Sequence, residues 1–378
     1  MKRRKKIDKQ RKVLNMIKYP VYKPFLNGNE KKYVDECLDT TWISSKGHFV
    51  EDFEKSFSSY IGMNHGAAVC NGTAAIQVAI KALDIKPGDE VICPVFTYIA
   101  SVNPVTEAGA TPILVDCLKD SWQMNPEEIK RKITNKTKAI IAVHLYGQPC
   151  NIEEIKSIAI DNNLYLIEDC AEAIGSKYNN KRVGSFGDIS CFSFFGNKTI
   201  TCGEGGMVLT NDDLLYKKIL YTKNQGNDFN KEYWHNQIGF NYRMTNIQAA
   251  IGLAQFENID KFIEKKRQIA KWYQECLNKL PIVFHKECKQ SYHTYWMNTI
   301  LTRTPEERIA LRDFLKSNGI ETRPTFYPIN RFPMYLSDEK YPIAEEITYR
   351  GINLPSYPQL EKDDIVNICN CISDFYSK

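Results

Sequence analysis

Between residues 66 and 209, short apolar runs alternate with amphipathic stretches, an order that few folds accommodate. The runs at 66–69, 90–93, 112–115, 139–143 and 165–167 read as buried strands. Apolar residues at helical spacing fill 73–83, 126–133 and 152–162 between them. Two more short strands are expected at 189–193 and 207–209. Strands that are apolar on both faces need helices on both sides, so this order predicts an α/β fold around a mostly parallel sheet. From Thr245 the pattern changes, and residues 246–280 carry helical periodicity, as one extended helix or two joined. A strand at 292–301, a helix at 305–317 and an extended 320–324 follow, which reads as a smaller α+β domain. The expected division is a large domain over 18–255 and a small C-terminal domain over 256–378.

Charge is spread unevenly along the chain. Residues 1–12 hold eight Lys/Arg against Asp8, so they carry +7 of a total of +5 and leave −2 for the rest. A near-neutral body excludes a general polyanion binder. The basic residues 1–17 read as a solvated extension, and no nucleic-acid partner is expected. They lack an apolar stretch before a small-residue cleavage site, so they are not a secretory signal. No apolar run reaches the roughly 18–20 residues that span a bilayer, so no membrane insertion is expected. None of the twelve cysteines forms a Cys-x-x-Cys pair, and Cys70, Cys93, Cys170 and Cys191 lie in apolar runs. That pattern reads as buried reduced thiols in a cytoplasmic protein. The six histidines show no His-x-x-x-His spacing, and no metal site is expected.

Four local features suggest chemistry at the carboxyl ends of the strands, where parallel sheets bind ligands. Asn71-Gly72-Thr73 stands between a strand and a helix, either as an anion site of free amides and a hydroxyl or as a plain helix cap. Tyr98 follows the next strand, as an aromatic that stacks on a planar ligand or simply packs. Asp169 ends the run from Leu164, either as a partner for a ring nitrogen or as a helix cap. Lys198 sits among apolar, aromatic and small residues from Ser193 to Gly206. Such flanks favour a desolvated amine, neutral and nucleophilic, able to hold an aldehyde as a Schiff base. A lysine with an upstream acid in this setting suggests pyridoxal phosphate. There is no Gly-x-Gly-x-x-Gly after the first strand, which excludes a nicotinamide dehydrogenase of the usual kind.

With these residues in view, the chain resembles the DegT/DnrJ/EryC1/StrS sugar aminotransferases, pyridoxal phosphate enzymes of the aspartate aminotransferase fold type I. The resemblance starts near Tyr19 and runs through Thr41-Trp42-Ile43-Ser44-Ser45-Lys46-Gly47, Thr97-Tyr98-Ile99-Ala100-Ser101 and His144-Leu145-Tyr146-Gly147. It continues through Glu168-Asp169-Cys170-Ala171-Glu172-Ala173, Gly239-Phe240-Asn241-Tyr242-Arg243 and Gly351-Ile352-Asn353-Leu354-Pro355-Ser356. The form Phe194-Phe195-Gly196-Asn197-Lys198-Thr199-Ile200-Thr201 points to the branch that makes GDP-perosamine for O-antigen.

The resemblance implies roles by position. Lys198 would carry the cofactor, Asp169 would pair with its ring nitrogen and Tyr98 would stack on the ring. Gly72, Thr73 and Ser193 would hold the phosphate, and Glu172 would lie near ring or substrate. Asn241 would reach the phosphate of the neighbouring subunit's cofactor, making a homodimer the working unit. Trp42, Ser44, Lys46, Tyr327 and Asn330 would meet the nucleotide sugar. The implied reaction moves an amino group from L-glutamate to GDP-4-keto-6-deoxymannose, giving GDP-perosamine. The same reaction on a UDP- or dTDP-linked 4-keto-6-deoxyglucose is the alternative, and a polyanion binder acting through the basic N-terminus is a remote one. Related dehydratases replace the Schiff-base lysine with histidine, and Lys198 argues against them. Two residues depart from the branch: Cys202 stands where threonine is usual, and Asn330 where histidine is frequent.

Overall fold

A computed structural model describes residues 17–228 and 230–377. The basic extension expected over residues 1–17 lies, apart from Ile17, outside them. Helices α1 (Glu30–Asp39) and α2 (His48–Ile61) lead into β1 (His65–Val69). The chain then alternates through α3 (Gly72–Ala82), β2 (Glu90–Pro94), α4 (Asn103–Glu107), β3 (Thr111–Val115) and α5 (Pro126–Lys132). It goes on through β4 (Thr137–Val143), α6 (Ile152–Asp161) and β5 (Tyr165–Asp169). A small hairpin, β6 (Lys177–Tyr178) and β7 (Lys181–Arg182), turns through Asn179 and Asn180. Both asparagines have positive φ, 46° and 64°, the conformation that a two-residue hairpin turn demands. After it come β8 (Ile189–Ser193), β9 (Gly206–Thr210) and α7 (Asp213–Lys223).

Seven strands form the central sheet in the order β1-β9-β8-β5-β4-β2-β3. Only β9 runs antiparallel to its neighbours, β1 and β8. The expected strands and helices of this region are all present, with ends shifted by a residue or two. Local chemistry explains the ends. In α5 the Asn125 side chain accepts from the Glu127 amide, Pro126 opens the helix, acids occupy the first turn and Lys130, Arg131 and Lys132 the last. That arrangement satisfies free amides and opposes the helix dipole at both ends. Apolar residues of β1, β2, β4 and β5 are buried against α3 on one side of the sheet. On the other side, Phe49, Phe53 and Phe57 of α2 pack with Phe192 and Phe194.

Beyond Thr245 come α8 (Asn246–Phe256) and α9 (Ile259–Leu277), so the periodic stretch is two helices broken at residues 257–258. A second sheet follows, built of β10 (Val283–Phe284) with, after the short β11 (Ser291–Tyr292), β12 (Asn298–Leu301). Helix α10 (Pro305–Ser317), β13 (Arg323–Pro324), α11 (Pro342–Arg350), β14 (Gly351–Leu354) and α12 (Lys362–Tyr376) complete the chain. The sheet order is β10-β12-β14-β13, antiparallel throughout. The single strand expected at 292–301 is therefore two. Tyr292 pairs with Lys177 in one sheet and Asn298 with Leu354 in another. Between them Tyr295 takes φ 49° and turns the chain, leaving His293 fully buried and Trp296 nearly so. Of the extended stretch 320–324, only Arg323 and Pro324 join the sheet.

Candidate active site

The carboxyl ends of β1, β2, β4, β5 and β8 open on one cavity of about 480 Å³. Asn71, Gly72 and Thr73 line it after β1, Thr97 and Tyr98 after β2, Tyr146 after β4, Asp169 at the end of β5, and Ser193 at the end of β8. Glu172 and Lys198 line it as well. Eight residues singled out from the sequence thus meet in one place.

The Lys198 side chain is 12% exposed, and its Nζ lies 3.9 Å from Glu172 Oε1. Burial drives its pKa down, while Glu172 and Asp169 pull it back up in part. The same amine sits 4.0 Å from the centre of the Trp296 ring. The Trp296 indole N–H donates to the Asn197 carbonyl at 2.7 Å, and the Tyr22 hydroxyl donates to the Lys198 carbonyl. These contacts hold the lysine backbone from two sides. Burial pushes the Glu172 carboxyl up to about 7, against the opposing pull of Lys198 and the Tyr146 amide. That amide donates to Glu172 at 2.9 Å, and Tyr146 reaches it with φ at 58°, a conformation rare for a bulky residue.

Asp169 is 4% exposed. Its Oδ2 accepts from the Ser101 hydroxyl at 2.7 Å and its Oδ1 from the Ala171 amide at 3.0 Å. Each oxygen keeps a lone pair for another donor. Opposite, Asn71 caps α3 by accepting the Ala74 amide at 2.8 Å. The cap reading of that motif therefore holds, and the amides of Gly72 and Thr73 at the first helical positions are still without an intrahelical acceptor. A Cβ on Gly72 would stand 2.7 Å from Ser193 Cβ, so the helix start and the strand end approach closely only because residue 72 is glycine. The free amides and this close approach lie in one cavity with a lysine and an acid, and their chemistry fits pyridoxal phosphate. Tyr98, 57% exposed, covers the mouth with its ring tilted against Phe326.

The other residues singled out are placed elsewhere. Trp42 and Lys46 line a second cavity of about 730 Å³, with Glu54, Arg243 and Asn246. Ser44 is exposed, and its carbonyl accepts the Asn246 amide at 2.5 Å. The exposed Asn241 accepts from the Arg243 guanidinium at 2.9 and 3.0 Å and lines neither cavity. Tyr327 is exposed and also outside both cavities. Asn330, expected to face the nucleotide sugar, is instead fully buried and donates to the Ser337 and Glu339 carbonyls. It holds a loop together. Cys202, 3% exposed, packs where α8 comes close at Gly252.

Several residues of the cavity drew no attention in the sequence: Ser101, Tyr146, Trp296, Arg323 and Asn353. Ser101 and Tyr146 lie within stretches that carry the family resemblance. Asn353 does too, and it comes with Trp296 and Arg323 from the C-terminal sheet region, which reaches the cavity through tertiary packing. Glu168 is a further omission. Its buried carboxylate accepts from the Gly184, Phe186 and Gly187 amides at 2.7 Å and from His144 Nε2 at 3.1 Å. Burial raises its pKa, but His144 and the amides outweigh that and hold it below its ordinary value. His144 Nδ1 accepts the Cys150 amide, which puts the ring proton on Nε2. His144, Glu168 and Cys170 lie close enough to hold a metal ion. His144 and Glu168 are already engaged in this network, and burial raises the pKa of the Cys170 thiol.

A family model described as the DegT/DnrJ/EryC1/StrS aminotransferase family matches residues 24–373. The chain is 56% identical to a GDP-perosamine synthase of Escherichia coli O157:H7, covering 96% of this chain and 100% of that one. It is 48% identical to a GDP-perosamine synthase of Vibrio cholerae, over 95% and 99% of the two. Among solved structures, Helicobacter pylori PseC, an aminotransferase of pseudoaminic acid biosynthesis, superposes with TM-score 0.89 at 25% identity, covering 95% and 99%. S. venezuelae DesV does so with TM-score 0.88 at 30% identity, over 93% and 95%. With a buried lysine and acid and free helix-start amides gathered in one cavity, the site accords with these likenesses, and the chain belongs to the DegT/DnrJ/EryC1/StrS aminotransferase family.

Proposed function

We propose that this chain transfers the amino group of L-glutamate to the keto carbon of GDP-4-keto-6-deoxymannose, forming GDP-perosamine with pyridoxal phosphate as cofactor. We place it in the cytoplasm as a homodimer. The observation that carries the reading is the meeting of Lys198, Asp169 and the Gly72–Ser193 cradle in one cavity. The name of the 56% identical relative supports the GDP-linked substrate over a UDP- or dTDP-linked one. Buried Cys93, Cys170 and Cys191 suit a reducing compartment.

When bound, pyridoxal phosphate supplies an aldehyde that captures amino groups and a ring that takes up the electron pair left when a C–H bond breaks. The protein does the rest. Thr73, Ser193 and the first amides of α3 bind the phosphate. Asp169, steadied by Ser101 and Ala171, holds a proton on the ring nitrogen. Lys198 Nζ, its pKa lowered by burial, takes a proton from one carbon and returns it to another. A Glu172 carboxyl with a pKa near 7 is partly protonated at neutral pH and does not lock that amine as an ammonium. Trp296 and Tyr146 wall the amine from water. The test is an assay of the pure protein with L-glutamate and GDP-4-keto-6-deoxymannose, following 2-oxoglutarate. Lys198→Ala is expected to reduce turnover at least about a thousandfold while remaining folded. Comparable turnover by that variant removes Lys198 from the mechanism, and turnover only on a UDP- or dTDP-linked sugar moves the substrate.

A further inference from the structure

We infer that Lys266 is a positioning residue for Lys198: it clamps the Pro355-Ser356 segment against residues 21–22, and Tyr22 carries that hold to the Lys198 backbone. Lys266 projects from α9 and is fully buried. Its neighbour Lys265 pairs with Glu361 at 2.9 Å, but among the described residues no carboxylate pairs with Lys266. A buried amine without a counter-charge costs stability, and a methionine would fill the space without that cost. What the amine adds is a set of donors. Its Nζ donates to the Ser356 carbonyl at 2.5 Å and to the Ser356 hydroxyl at 3.1 Å, and it stands 5.3 Å from the centre of the Tyr22 ring. Burial lowers its pKa to about 7, and no charged group contributes. The Asn298 side chain of β12 donates to the same hydroxyl at 3.0 Å. The Tyr273 hydroxyl, two turns further along α9, donates to the Pro355 carbonyl at 3.0 Å.

From Ser356 the hold passes to residues 21–22. The Ser356 amide donates to the Val21 carbonyl at 3.0 Å, and the Val21 amide donates to Glu321 Oε2 at 2.9 Å. Val21, itself fully buried, is thus fixed on both sides. Next to it, Tyr22 extends its hydroxyl to the Lys198 carbonyl. A lysine whose backbone loosens lets its amine sample water, so the burial that lowers the Lys198 pKa depends on this anchor. The ionisable groups that face the amine are Glu172 and Asp169, with Glu204 and Arg323 on the same cavity. None of them takes part in the contacts that run from Lys266 to Tyr22. A change at Lys266 or Tyr22 therefore reaches the amine through the Lys198 backbone.

The inference rests on the amino-transfer reading only for what Lys198 does, and the titration of Lys198 is read without turnover. The full chain, freed of cofactor, is labelled with acetic anhydride from about pH 6 to pH 10 as wild type, Lys266→Met, Tyr22→Phe and the double variant. The rate at Lys198 is followed by peptide mass spectrometry. Each single variant is expected to raise the midpoint of the Lys198 profile by about half a pH unit or more, as burial is relieved. The double variant is expected to raise it no further than the larger single one. In the cofactor-loaded enzyme, kcat of both single variants is expected to fall about tenfold, with KM for either substrate within about twofold of wild type. A folded Lys266→Met with an unmoved midpoint or, where wild type turns over, an unchanged kcat overturns the inference. So do shifts that add in the double variant, which would mark two independent structural effects. If Lys266→Met does not fold, Ser356→Ala, which removes one of the two acceptors of Lys266, is read in its place against the same outcomes. Midpoints that move as expected in an enzyme without turnover sink the substrate reading and leave this one standing.

Discussion

At the scale of single residues, the buried acids in and beside the cavity differ sharply in what surrounds them. Glu168 has four donors, Asp169 has two, and Glu172 has one amide and a lysine at 3.9 Å. Glu172 is the carboxyl that burial penalises most visibly, with its pKa at about 7 against an ordinary 4.5. The sign of the consequence follows from linkage. Between pH 4.5 and 7 the unfolded chain has lost this proton while the folded chain retains it, so stability falls as pH rises through that window. The fall amounts to about 3 kcal/mol. Glu172→Gln keeps an acceptor for the Tyr146 amide and has no charge to desolvate. Its melting temperature without cofactor, relative to wild type, is expected to rise from pH 5 to pH 8. A constant difference across that range contradicts a proton held on Glu172. Lys198 and Asp169 were legible because each has a local signal, small, hydroxyl and aromatic flanks for the lysine and an apolar run ahead of the acid, whereas Glu172 was marked only by the family resemblance. Trp296, which covers the lysine from almost a hundred positions away, had no local signal to give it away.

At the scale of elements, the sheet was legible where each strand is apolar on both faces and each helix begins with a capping residue. Helix α10 starts as its sequence demands, with the Thr304 side chain accepting the Glu307 amide ahead of Pro305. The stretch 292–301 misled because an apolar run carries no mark of the left-handed turn at Tyr295 that splits it. The junction of α3 with β8 is the element contact on which the proposed phosphate cradle depends. Gly72→Ala tests it with two opposed expectations. Helix propensity alone predicts a gain of roughly 0.5–1 kcal/mol. The geometry predicts a new Cβ 2.7 Å from Ser193 Cβ and 2.9 Å from its hydroxyl, so helix and strand must part. Cofactor affinity, read by absorbance titration of the cofactor-free variant with pyridoxal phosphate, is expected to fall about tenfold, or about 1.4 kcal/mol. Undiminished affinity would mean that the cradle is wider than the contact implies.

At the scale of the whole molecule, some of the residues that one chain does not bring to the Lys198 cavity meet around a second one. Trp42 and Lys46 line the second cavity with Arg243, and Asn241 holds the Arg243 guanidinium. Exposed Trp42, Trp234, Ile238 and Phe240 add apolar area of the kind that subunit contacts cover. The homodimer we propose accounts for this, because an isologous contact brings residues of one subunit to the cavity of the other. Sequence motifs name such residues without saying which chain's site they serve, which is why they read as a single site. Mixing inactive subunits tests the arrangement. Lys198→Ala removes the amine, and Asn241→Asp sets a carboxylate against the phosphate it is proposed to reach. If Asn241 serves the neighbour, each mixed dimer has one site with both native residues and one with neither. Random assortment makes half of the dimers mixed, so a refolded equimolar mixture is expected to regain about a quarter of wild-type turnover. Each parent alone stays near zero. A mixture no more active than the mean of its parents would place Asn241 and Lys198 in the service of the same subunit, and the shared active site would go with it.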